Sequence, residues 1–283
     1  MHSSLRLRRG ATPPARSGVV HALLPPLAAL ALLWAAPAAA KIVNVQSLAG
    51  AAVKQGFAGK VSASGSLTTG NVVLLLATGT GTAFYRTGDH VFMATVTANY
   101  GRKGSGEWFD EDDDPFRENV FEHLRYRYRW SPRWSSEAFL QHEYDRWRRL
   151  RIRGLAGVGM RADLLSSDDG HLAVGLAYMA QAEELLQPQA GDLRGLYLEH
   201  RASSYVSASR KLAEAVAVAA TIYVQPNLLL GSDIRGLLDL SLQVSVTSEI
   251  ALTVGYWLAW DTAPPIAVRG LDTNTSVGLS WAF

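Results

Sequence analysis

Residues 250–260, IALTVGYWLAW, place Ile250, Leu252, Val254, Tyr256, Leu258 and Trp260 at every second position, with Ala251, Thr253, Gly255, Trp257 and Ala259 between them. A period of two belongs to a β-strand, whose successive side chains point to opposite faces. One face of this segment is large and apolar while the other is mostly small, which suits a wall between lipid and a confined interior. The alternation recurs in Leu238, Leu240, Leu242, Val244 and Val246 against Asp239, Ser241, Gln243 and Ser245, and again in Leu172, Val174, Leu176 and Tyr178. In residues 123–130 it sorts Leu124, Tyr126, Tyr128 and Trp130 onto one face and His123, Arg125, Arg127 and Arg129 onto the other.

Cut at its turn signals, the chain divides into about twelve such strands, over 56–67, 71–86, 90–103, 117–130, 134–149, 151–165, 171–183, 193–207, 212–225, 232–246, 249–261 and 271–283. No stretch reaches 18 apolar residues, so a membrane crossing by helices is not expected. Long strands in one repeating meander call for closure, because a closed sheet has no edge left to aggregate. The predicted fold is therefore all-β, a transmembrane antiparallel up-and-down β-barrel of about 12 strands occupying residues 56–283.

The connections support that reading. Every second one is tight, at 87–89, 131–133, 166–170, 208–211 and 247–248, and the intervening ones at 104–116, 184–192, 226–231 and 262–270 are longer. Turns near Thr69-Gly70 and Arg149-Leu150 are short exceptions. Short turns on one side and longer loops on the other are the asymmetry of outer-membrane barrels. Trp130, Trp134, Trp281 and Phe283 fall near one predicted rim and Trp108, Trp147 and Trp260 near the other, as two interfacial belts require.

Residues 1–40 read as a secretory signal peptide. Arg6, Arg8, Arg9 and Arg16 precede the apolar run LAALALLWAA at 27–36, and Pro37-Ala38-Ala39-Ala40 supplies small residues before Lys41. Removing those four arginines from the 27 basic residues leaves 23 against 25 acidic ones, a formal net of −2 in place of +2. That balance argues against nucleic acid as a partner. Residues 41–55 are too short for a domain and are expected to form a short periplasmic N-terminal segment. With no cysteine in the chain, disulfides, thiol nucleophiles and thiolate metal sites are excluded.

Several segments together carry a family likeness. They are Gly56-Phe57-Ala58-Gly59, Ser66-Leu67-Thr68-Thr69-Gly70-Asn71, Ala98-Asn99-Tyr100-Gly101, Tyr126-Arg127-Tyr128 with Trp134, and His142-Glu143-Tyr144-Asp145-Arg146. Residues 155–159, 252–261 and Asp272-Thr273-Asn274-Thr275 continue the series. In order and spacing, over roughly four fifths of the chain, they resemble a bacterial family known as salt-induced outer-membrane proteins, a domain family of unknown function. The resemblance implies an outer-membrane barrel, with no substrate, activity or cofactor to carry over. It also gives a meaning to the last strand: Val277, Leu279, Trp281 and Phe283 at every second position resemble the signal by which barrels are handed to the assembly machinery.

Candidate site residues follow from strand phase. Arg125, Arg127 and Arg129 are expected in the lumen, because charges facing lipid cost kilocalories each. In the next strand Glu137, Phe139, Gln141, Glu143 and Asp145 share one phase, so an antiparallel neighbour brings acids beside the arginines. Two readings stay open for this set, a charged constriction that selects solutes and a salt-bridged plug. Glu107, Asp110, Glu111, Asp112, Asp113 and Asp114 crowd the longest loop; Asp110, Asp112 and Asp114 are candidate cation or lipopolysaccharide contacts, against the plainer reading of a solvated loop. Arg146, Arg148, Arg149, Arg151 and Arg153 cluster near the same rim, where they can meet lipid phosphates or that loop.

The alternative to a non-enzymatic envelope protein is an outer-membrane lipid hydrolase. His142 suits such a role by its lipid-facing phase, but no serine has a clear cross-strand relation to it. His123 and His200 lack metal-ligand spacing, and no phosphate-cradling loop is present, so neither metal nor cofactor is expected. The expected location is the bacterial outer membrane, and the expected partners are its lipids and lipopolysaccharide, with the secretion translocon and barrel-assembly machinery during biogenesis.

Overall fold

A computed structural model describes residues 55–69, 73–104, 108–110, 113 and 115–283. The expected leader, and all of the following segment except Gln55, lie outside the described residues. The alternating stretches form twelve strands: β1 (Gly56–Thr68), β2 (Val73–Thr87), β3 (His90–Gly104), β4 (Pro115–Arg129), β5 (Trp134–Asp145), β6 (Leu150–Ser166), β7 (Gly170–Leu185), β8 (Tyr197–Ala213), β9 (Val216–Pro226), β10 (Ile234–Ser245), β11 (Ile250–Asp261) and β12 (Leu271–Ala282). Each pairs antiparallel with its neighbours in sequence, and β12 returns to β1, closing the sheet. The seam is the shortest pairing, with Lys60 to Ala63 opposite Ala282 to Leu279. It is lengthened by Phe283, whose backbone exchanges hydrogen bonds of 2.9 and 3.0 Å with Gly59.

One end of the barrel, the turn end, carries the start of β1, the finish of β12 and the tight connections. The other, the loop end, carries the connections that follow β1, β3, β5, β7, β9 and β11. One predicted turn moves. Residues 208–211 read as a turn because Ser, Arg and Lys gather there, yet β8 runs on to Ala213, with Ser209 opposite Ala219 and Lys211 opposite Ala217. A polar run near a rim extends the strand into water, so polarity alone does not end it. The β5–β6 turn is also wider than expected: β5 stops at Asp145, and 146–149 form the turn, closed by Arg149 in the left-handed region at φ 55°.

The two faces of the sheet are inverted relative to a soluble protein. Leu124, Leu140, Val158 and Leu176 point outward and are each more than half exposed, whereas Glu143, Arg153, Arg161, Arg201 and Arg235 point inward and are buried. An apolar outer band around a polar interior is stable only when lipid covers it, and the twelve-strand ladder satisfies the backbone groups it pairs. Outward aromatics mark both margins of the band, with Tyr85, Phe92, Tyr128, Trp130, Trp134 and Trp281 toward the turn end and Tyr100 and Trp147 toward the loop end.

Candidate functional site

The lumen is the candidate site, and its walls differ. Strands β1 to β3, β11 and β12 present Ser62, Ser64, Thr78, Thr80, Thr82, Thr95, Thr97, Thr253, Ser276 and Ser280, a hydroxyl-rich wall tied by Thr80 to Thr97 at 3.0 Å and by Thr82 to Thr95. Strands β4 to β8 and β10 present the long charged side chains, and these reach across the interior in two layers.

The layer nearer the turn end is built on Glu137. Register places Glu137 of β5 opposite Arg127 of β4. Its carboxylate accepts from Arg125 Nη1 at 3.0 Å, from Arg127 Nε at 3.0 Å and from the Tyr205 hydroxyl of β8 at 2.9 Å. Glycine makes the reach of Tyr205 possible: its ring lies on Gly175, where a Cβ would overlap it. Arg161 of β6 adds a donor to Tyr205 at 3.4 Å and pairs with Asp163 at 2.8 Å. Behind this layer Tyr205, Tyr223, Leu237 and Ala259 pack with Trp257 into an apolar cluster.

The layer nearer the loop end is larger. Glu143 is fully buried and is held by Arg148 at 2.8 Å and Arg153 at 2.5 Å. Arg235 of β10 bridges Asp261 of β11 at 3.0 Å and Glu183 of β7 at 3.1 Å, crossing the lumen, and Tyr197 donates to Glu183 at 2.6 Å. Gln181 donates to Glu199 at 2.6 Å, and Glu199 with Asp233 holds Arg201. Between the layers, beside His123, Gln141, Gln181, Tyr205 and Tyr223, lies a cavity of about 30 Å³, room for one or two water molecules.

A lid covers the second layer. Pro264, Pro265 and Val268 of the β11–β12 loop close over Arg148, Arg153, Glu183, Arg235 and Asp261, leaving only about 20 Å³. Asp192, in the β7–β8 loop, fastens the lid: it accepts from the Ile266 backbone N–H at 2.8 Å and from the Gln189 N–H at 2.7 Å, and it pairs with Arg149 at 2.6 Å. Desolvation alone would raise the Asp192 carboxyl, but those two N–H donors and the Arg149 guanidinium outweigh it and hold the group below the ordinary carboxylate range.

A family model described as "Protein of unknown function, DUF481" matches residues 61–283. The chain belongs to this family. No curated protein matches it. Among solved structures, the NanC porin is 10% identical with a TM-score of 0.49, over 79% of this chain and 98% of that one. The translocator domain of the autotransporter NalP from Neisseria meningitidis is 13% identical with a TM-score of 0.45, over 84% and 92%. The KdgM porin is 9% identical with a TM-score of 0.44, over 80% and 99%.

Within this DUF481 barrel the residues singled out from sequence divide. Arg125, Arg127 and Glu137 meet in one layer, whereas Glu143 and Asp145 belong to the other, around Arg148. Arg129 is half-buried at the turn end, outside the Glu137 cluster. Of the acidic loop, Asp112 and Asp114 lie outside the described residues. Asp113 caps locally, its carboxylate accepting from the Asp110 backbone N–H at 2.8 Å, while Arg102 donates to the backbone carbonyls of Asp110 and Asp113. The five clustered arginines do not share a role: Arg148 and Arg153 turn into the lumen, Arg146 pairs with Glu118, Arg149 with Asp192 and Arg151 with Glu184. His142 faces outward and meets Glu122 at 3.2 Å. The nearest serine in its phase on β5 is Ser136, six residues along the strand, too far for a proton relay.

Sequence reasoning missed Arg148, Arg153, Arg161, Glu183, Arg201, Arg235, Asp261 and Tyr205 as lumen residues. Arg148 and Arg153 read with their arginine cluster at the rim, and Arg161 and Arg235 are lone charges between small or apolar neighbours. The usable signal is phase: Arg161 lies between Met160 and Ala162, and Arg235 between Ile234 and Gly236, so each sits opposite the lipid-facing residues of its strand.

Proposed function

We propose that this protein is a non-enzymatic barrel of the bacterial outer membrane whose lumen is held shut by its own ion-paired side chains. One observation carries the reading: two layers of charged groups cross the interior, and the spaces beside them, about 30 and 20 Å³, have room for no more than one or two water molecules each. On this reading the Arg125, Arg127 and Glu137 set is a plug rather than an open selectivity ring. Arginines and acids paired across a narrow barrel order the interior and exclude water together.

The turn end faces the periplasm, reached after residues 1–40 direct export and are removed, and the lidded loop end faces outward. Lipids and lipopolysaccharide surround the apolar band. Val277, Leu279, Trp281 and Phe283 serve assembly: the Phe283 ring lies over Gly59 and near Trp281, so the signal residues also lock the seam. Liposome swelling tests the closed lumen. Vesicles holding the folded wild-type barrel should swell in small sugars no faster than empty vesicles, and rapid swelling would refute closure.

A further inference from the structure

Glu122 and His142 lie where neither belongs on a lipid-covered surface. They are register partners on β4 and β5, 3.2 Å apart, with side chains 52% and 45% exposed. Outward-facing Leu124 and Leu140 flank them on the turn side, and Val120 and Tyr144 on the loop side. An ionisable pair between such neighbours is costly against hydrocarbon, and intramembrane ionisable groups find polar partners. The two charge types sit side by side on adjacent strands, so the patch is complementary to its own copy under a two-fold.

We infer that the outward face of β4 and β5 docks a second copy of this chain, with Glu122 of each copy facing His142 of the other. Copies inserted in the same orientation can be related only by a two-fold axis along the membrane normal. Such an axis keeps depth and exchanges left for right. Placed between β4 and β5, it sets Glu122 against the partner's His142 and Leu140 against the partner's Leu124, with the two copies of Leu140 lying diagonally across the axis. The flanking strands present mostly short side chains, Val96 between Ala94 and Ala98 on β3 and Gly154 and Ala156 on β6, and recesses of about 480 and 720 Å³ lie to either side of the pair. A lipid phosphate fits worse, because Glu122 repels it, and an acyl chain offers neither group a partner.

The inference rests on the membrane-spanning reading and is tested in membranes. The chain has no cysteine, so single-cysteine variants have no background. Leu140→Cys should give a covalent dimer with a short bifunctional thiol cross-linker that spans the diagonal, and Leu252→Cys, outward on the remote strand β11, should not. Glu122→Ala in the Leu140→Cys background should cut dimer yield about tenfold or more, as expected for a close interfacial charge pair. The exchanged variant Glu122→His with His142→Glu should restore it. Monomer throughout, equal yield from both cysteine positions, or no effect of Glu122→Ala would overturn the interface. Heat-modifiable gel mobility and recovery with the membrane, scored on every sample, separate failure of the interface from failure of the barrel.

Discussion

Glu137 shows how much rests on one carboxylate in a low-dielectric interior. It satisfies Arg125, Arg127 and the Tyr205 hydroxyl at once, so Glu137→Ala strands two buried guanidinium groups. Removing one partner of a buried ion pair costs about 3–5 kcal/mol. The expected outcome is a urea midpoint well below wild type in a lipid-vesicle folding titration, and an unchanged midpoint would show the layer to be solvated. Gly175 matters for a related reason. Gly175→Val should push Tyr205 off Glu137 and destabilise the barrel by about 1–3 kcal/mol, the usual cost of overpacking, read in the same titration.

Among the elements, the lid is the one whose hold depends on pH. Asp192 is the shared acceptor, and its carboxyl is depressed in the folded state. A depressed acid contributes its stabilisation above its unfolded value and loses it as the pH falls through the folded one. The clasp should therefore stand at neutral pH and release only below about pH 4, the ordinary carboxylate value. Protease cleavage within 262–270 should be slow at pH 7 and should become fast at that pH in Asp192→Asn. Equal cleavage of both proteins would separate the lid from Asp192. The seam offers a second check: deleting Phe283 removes two backbone hydrogen bonds and the ring over Gly59, so less protein should reach the heat-modifiable folded form in cells.

Strand number, strand phase and the alternation of short and long connections were legible because lipid on one face and a confined interior on the other write a period of two into almost every strand. The ends of β5 and β8 were not, since near a rim water covers both faces and the alternation loses its contrast. The pairing of Arg127 with Glu137 was readable from adjacent strands in antiparallel register. Contacts across the lumen, such as Tyr205 to Glu137 and Arg235 to Glu183, join strands remote along the wall, and barrel curvature decides them rather than any local pattern. The Asp192 clasp joins three loops in the same way.

For the whole molecule, the proposed function requires a membrane barrel that is closed at rest. Single-channel recording on the full-length folded barrel purified from membranes, in a planar bilayer at neutral pH, tests that most directly. Wild type should show no unitary openings, while Arg235→Ala, which unlinks Glu183 from Asp261 beneath the lid, should give discrete steps among molecules that remain folded. Steady unitary current through the wild-type barrel would contradict a lumen sealed by its ion pairs.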